Sequence, residues 1–128
     1  MSNDICDFIQ EKKNQSVKFD LEAAKKLVDR AEYLGKSMAD NRVTTTQIRN
    51  VYGTMKKLEM LGWNNRTARE LWLMKPRLAY AAKRQKNVEE LKTTISEAID
   101  CVNDAESFKR FCQFFEAIVA YHRAHGGS

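Results

Sequence analysis

The chain has 128 residues, enough for one domain with its own hydrophobic core and too few for two. With 43% apolar and 30% charged residues it is globular rather than disordered in composition, and one proline and five glycines are too little turn material for an all-β fold. The net charge of +5 is unevenly spread: residues 42–86 hold 11 basic side chains against only Glu59 and Glu70, while the segments before and after are net −1 and −3.

In chain order, Asp4 and Asp7 stand where a signal peptide would be basic and then apolar, so a cytoplasmic protein is expected. A short helix is expected over about Asp4 to Lys13, then a polar break from Asn14 to Ser16. Asp20 reads as the N-cap of a long helix reaching about Ala39, with Ala24, Leu27, Val28, Ala31, Leu34 and Met38 on one face. Asp40-Asn41-Arg42 ends it. Thr44-Thr45-Thr46-Gln47 has the form of a capping box, and the helix it opens points Ile48, Val51, Tyr52, Met55 and Leu58 inward and stops near Gly62. The next begins near Asn65 or Thr67 and meets Pro76. A missing N–H and a ring clash predict a break or kink there, with Pro76 opening a further helix to about Lys86. Val88, Leu91, Ile95, Ile99 and Val102 mark another helix, and the last runs from about Ser107 to Ala124. Its uncharged apolar run, Ala117 to Tyr121, is far short of the roughly 18–20 residues that span a bilayer. The expected fold is all-α, a compact single-domain bundle of five to six helices over residues 1–128.

The three cysteines, Cys6, Cys101 and Cys112, form no CxxC pair, cannot pair evenly and sit in apolar helical contexts, so buried reduced thiols are expected and no metal. Nothing suggests a cofactor or a catalytic residue. There is no P-loop or dinucleotide fingerprint, and the basic block holds no paired acids and no histidine. His122 and His125, three apart at a helix end, are expected to interact with the C-terminal dipole rather than to form an acid–base pair.

Concentrated positive charge calls for a polyanion, nucleic acid first and an anionic membrane surface second. On the helix after the threonines, Thr45, Arg49, Gly53, Lys56 and Met60 fall on one stripe, with Lys57 beside it. Arg49 and Lys56 are two turns apart, about 10.5 Å along the axis, which spans roughly two phosphates of a backbone. Gly53 between them costs the helix about 1 kcal/mol relative to alanine. Its bareness suits either a strand lying close or a neighbouring helix packing tightly. Farther on, Lys75, Arg77, Lys83 and Arg84 bracket Tyr80, the arrangement expected where phosphates are neutralised and a base or sugar is touched. Taken alone, Tyr80 reads rather as a core residue with its hydroxyl at the rim; the cations do not.

The last helix is apolar on two sides. Phe108, Phe111, Cys112, Phe115, Ile118, Val119 and His122 make one face, and Phe114, Ala117 and Tyr121 a second, nearly opposite. Such a helix is either central in its bundle or lies between the core and a partner. For so small a chain the partner is preferred, which makes Phe114, Ala117 and Tyr121 an expected interface.

Three stretches resemble one known pattern in order and spacing: residues 44–52 (TTTQIRNVY), 73–82 (LMKPRLAYAA) and 114–122 (FFEAIVAYH), with the closing Gly126-Gly127. The pattern is that of the small subunit of the type III-A CRISPR effector, the Csm complex, and it covers about two-thirds of the chain. The resemblance implies an all-helical, non-catalytic subunit for antiviral defence. Several copies would stack as an inner filament beside the subunits that hold the guide RNA. The subunit would contact the guide–target duplex or target strand through its phosphate backbone, without reading sequence, while cleavage belongs to neighbouring subunits. By motif, Arg49, Lys75, Arg77 and Tyr80 are carried over as RNA-facing; Lys56, Lys57, Lys83 and Arg84 join them on helical geometry and charge. Two other classes fit the residues: a helix-turn-helix DNA-binding regulator using Thr45 to Leu61 as its recognition helix, and a small RNase using His122 and His125.

Overall fold

The capping signals and apolar periodicities resolve, in a computed structural model, into six α-helices: α1 (Cys6–Ile9), α2 (Val17–Asp40), α3 (Thr45–Leu61), α4 (Asn65–Arg84), α5 (Glu89–Asp100) and α6 (Ala105–Ala124), with a 3₁₀ turn (Lys86–Val88) before α5. The structure describes residues 5–10 and 17–127, and of residues 17–20 the backbone alone. No strand occurs among the described residues, so the fold is all-α as expected. The polar break expected from Asn14 to Ser16 lies outside them.

α6 is the axis of the bundle. Phe111, Phe114, Phe115 and Ile118 are completely buried along it, α2 lies lengthwise on it, and α1, α3 and α5 fill the remaining flanks. Close approach of α2 requires Gly35: a Cβ there would come within 2.7 Å of the His122 amide nitrogen and the Tyr121 Cβ. α4 is outermost, packed on α3 and α5. It buries Leu71, Met74, Leu78 and Ala82 and turns its other face outward.

The turn between α2 and α3 is fixed from four sides. Arg42 takes a left-handed conformation (φ 62°) where helices usually end in glycine. Its N–H bonds the Ala39 carbonyl at 3.0 Å and that of Val43 the Met38 carbonyl at 2.9 Å, a Schellman pair with buried Val43 near buried Met38. The Val43 carbonyl receives His122 Nε2 at 2.6 Å, and the Arg42 carbonyl receives Asn87 Nδ2 at 3.1 Å. Thr44 then caps α3 through the reciprocal box, Gln47 N–H to Thr44 Oγ1 at 3.1 Å and Thr44 N–H to Gln47 Oε1 at 2.9 Å. Because a left-handed arginine is strained by about 1 kcal/mol, Arg42→Gly is expected to leave stability unchanged or raise it by up to about that amount in urea unfolding. A clear loss would show that the arginine side chain itself holds the turn.

Several boundaries differ from the sequence reading. α1 is shorter than expected among the described residues. α2 begins at Val17, so Asp20 sits inside the first turn rather than capping it, a place where the helix dipole also favours an acid. α6 begins at Ala105, capped by Asp104, whose carboxylate accepts the Ser107 N–H at 2.7 Å. The largest difference is at Pro76. α4 is one continuous helix through it, and no new helix starts there. Leu71 and Met74 before the proline, and Leu78 and Ala82 after it, are buried on one face and hold the two halves in line. Pro76 itself is exposed, where water can serve the carbonyl it leaves without a donor.

The expectation of three reduced thiols is also corrected. Cys6 and Cys101 form a disulfide with Cα atoms 5.1 Å apart, tying α1 to the end of α5 across 95 residues of sequence. Cys112 is free and buried, and burial pushes its thiol up to about 12. A thiol assay on protein denatured without reductant is therefore expected to find one group, and three after reduction. Such bonds are rare where glutathione keeps thiols reduced, so the count is best made on protein alkylated at lysis. Three thiols before reduction would mean the pair is open in the cell.

Candidate nucleic-acid interface

α3 presents its basic stripe because Ile48, Met55 and Leu58 take the core side, with Tyr52 half-buried edge-on to Phe115 at 5.4 Å. Lys57 is exposed on the far side, and Arg49 is exposed at the flank next to α6. Lys56 is engaged: its Nζ lies 2.9 Å from Glu59 and 3.8 Å from Glu116, and 5.7 Å from the Tyr52 ring centre. The Glu59 hydrogen bond raises its pKa above the ordinary lysine range, so it stays cationic but largely neutralised by its partners. Nothing approaches within 4 Å of where a Gly53 Cβ would stand, so no neighbouring helix explains this glycine. Gly53→Ala is expected to raise stability by about 1 kcal/mol, read as a shift in the urea midpoint. A strand lying close to this stripe would be displaced by the added methyl, and its binding would weaken in the same variant.

The outward face of α4 is richer. Arg77, Tyr80, Lys83 and Arg84 are all exposed, and so are Arg66, Arg69 and Trp72. Tyr80 is 64% exposed, which excludes the core position it could have occupied. The Arg84 guanidinium lies 5.7 Å from its ring centre. Lys75 turns to the side of the helix, ion-paired with Asp100 and 4.0 Å from the centre of the Trp72 ring. Trp72 was not singled out in the sequence; the signal available was an aromatic three residues before Lys75 at the start of a basic run. The α3 and α4 cations do not form one cluster. Arg77 lines a groove of about 220 Å³ with Asn50, Val51 and Thr54 between the two helices. Arg49 instead shares a smaller groove, of about 130 Å³, with Arg123 beside α6.

The second face of α6 is in large part covered by the chain's own helices, so Phe114 belongs to the core and is not free to form the expected interface. Phe114 is completely buried, edge-on to Phe8 of α1 at 4.9 Å. Tyr121 and Ala117 are half-buried beside α2, so α6 is the central helix of the bundle. His122 is 1% exposed with Nε2 committed to the Val43 carbonyl, whereas His125 is exposed at the helix end. The two cannot act together on a substrate, and His122 serves the α2–α3 turn rather than the helix dipole. Among the described residues no group of three or more His, Cys, Asp or Glu could hold a metal ion, and no helix is long and apolar enough to cross a membrane.

The model of the Csm2 Type III-A family matches residues 21–128. A Streptococcus thermophilus protein described as "CRISPR system Cms protein Csm2" is 38% identical over 56 residues, 42% of this chain. That match spans 46% of the relative, a little under half its length. No solved structure matches.

Proposed function

The chain belongs to the Csm2 Type III-A family, and from that premise we propose that it is a non-catalytic small subunit of a cytoplasmic, RNA-guided type III-A CRISPR effector acting in antiviral defence. In this reading copies of the chain stack with one another as an inner filament alongside the other subunits. Each copy contributes the exposed cations of α3 and α4 to the phosphate backbone of the guide–target duplex or target strand, and no base sequence is read. The observation that carries the reading is the outward face of α4, where the exposed charges Arg66, Arg69, Arg77, Lys83 and Arg84 are all positive and the helix's one carboxylate, Glu70, is half-buried. Mixed charge is the rule on idle surfaces, and a one-signed face needs a polyanion to settle on. Arg49 and Lys57 on α3 add to the same demand.

Purification of the tagged chain from its native host, with sequencing of whatever nucleic acid comes along, tests this directly. Short RNAs sharing a repeat-derived tag, together with several other subunits, are the expected result. A single duplex DNA site, or the chain alone without RNA, would overturn it.

A further inference from the structure

We propose that the outward face of α4 is a stacking platform for unpaired nucleobases, with Trp72 and Tyr80 as its two rings, so that the strand it holds is single-stranded where it crosses this helix. The inference rests on the RNA-binding reading above and narrows it: phosphate contact alone asks only for cations, whereas this face offers two aromatic rings set among them. Trp72 is 54% exposed and Tyr80 64% exposed, a state shared with Tyr33 of α2 at 65%, in a chain that buries Phe108, Phe111, Phe114 and Phe115 almost completely. Among the described residues, only on α4 do two such rings stand together among cations. The bundle has not run out of interior. It keeps these two rings outside while Trp63, the other tryptophan, is half-buried against Phe108 at 5.3 Å.

Helical geometry places the two rings together on one face. Trp72, Pro76 and Tyr80 recur every four residues, and all three are exposed. The rings are therefore about 12 Å apart along the axis. That exceeds the roughly 3.4 Å step between stacked bases, so they would take separate, splayed bases rather than neighbours in one stack. Pro76 and the partly exposed Leu73 form an apolar floor between them. Each ring has a cation beside it, Lys75 at 4.0 Å from the centre of Trp72 and Arg84 at 5.7 Å from that of Tyr80. A cation against one side of a ring leaves the other for a base; Arg84 is also free to meet an adjoining phosphate, whereas Lys75 is paired with Asp100. Arg69, Arg77 and Lys83 are exposed on the same helix and extend the positive track. A duplex buries its base faces in its own stack and offers the rings nothing to stack on.

The test uses the full chain carrying Trp63→Phe, so that Trp72 is its only tryptophan. Its fluorescence is followed against unstructured oligouridine and oligoadenosine, and against an RNA duplex of equal length, with binding measured separately by anisotropy at low salt. Single strands are expected to bind and quench Trp72, and the duplex to bind with little quenching. Trp72→Ala should weaken single-strand binding about 5- to 100-fold and leave duplex binding nearly unchanged. Single-strand binding without quenching, and with unaltered affinity in Trp72→Ala and Tyr80→Ala, would overturn the platform and leave the phosphate reading standing. Quenching that appears only on adding the other effector subunits without RNA would make this face a protein interface instead. Binding of neither RNA would remove both the platform and the RNA contact beneath it.

Discussion

Replacing Phe114 by alanine is expected to destabilise the isolated chain by about 3–5 kcal/mol. The ring is completely buried and meets Phe8 edge-on at 4.9 Å. Its loss costs both transfer free energy and the cavity left behind, because the walls cannot follow it inward. α1 is held in place by the Cys6–Cys101 bond, and α2 is held against α6 by the close approach at Gly35. Against a typical total stability of about 5–15 kcal/mol, the variant would lie near its unfolding threshold. Urea unfolding of the isolated chain reads this, and Phe114→Leu, which keeps most of the volume, should cost less than about 1.5 kcal/mol. The same substitution would behave differently if this face belonged to a partner: the isolated chain would keep its stability and only assembly would suffer. The measurement therefore separates the two ways in which a helix apolar on both sides can be accommodated.

That ambiguity shows where the sequence runs out. The start of α3 was legible because Thr44 and Gln47 satisfy each other locally, and such a box depends on no distant residue. α5 was legible for a similar reason, since Val88, Leu91, Ile95, Ile99 and Val102 all follow one helical face and all are buried. Pro76 misled because a rule about a single residue was outweighed by four buried neighbours, two on either side of it. The Cys6–Cys101 bond links residues that only the finished fold brings together, and an odd number of cysteines hid the pair. The double face of α6 could be read but not assigned, because α1 and α2 both precede it and their docking is a tertiary fact. At the candidate site, charge pointed to the right segment of chain. Which cations are free there, and that Trp72 stands among them, depends on where Glu59, Glu116 and Asp100 fall in space.

That distinction decides which charges to reverse. Among the described residues Arg49, Lys57, Arg77 and Lys83 are exposed and make no ion pair, while Lys56 is held by Glu59 and Glu116 and Lys75 by Asp100. Reversing Lys56 would set a third carboxylate beside two others, so any loss of binding would be mixed with local repulsion. Lys75 carries the same difficulty and would also uncover the Trp72 ring. The informative variant is Arg49→Glu, Lys57→Glu, Arg77→Glu and Lys83→Glu combined. Each neutralised phosphate of a single strand contributes about −0.7 to the slope of log affinity against log salt. Four lost contacts should therefore flatten that slope by about three units, and the loss of affinity should be steepest at low salt. Helix content and the urea midpoint should hardly move, because exposed substitutions away from caps and core typically change stability by no more than about 0.5 kcal/mol each. Reverting the residues singly should restore the slope in steps of about 0.7 for every side chain that touches a phosphate. A residue whose reversion restores nothing lies off the strand's path, so the steps trace that path between α3 and α4. A slope unchanged in the quadruple variant would place the polyanion elsewhere on the molecule, and the positive face of α4 would then need another partner.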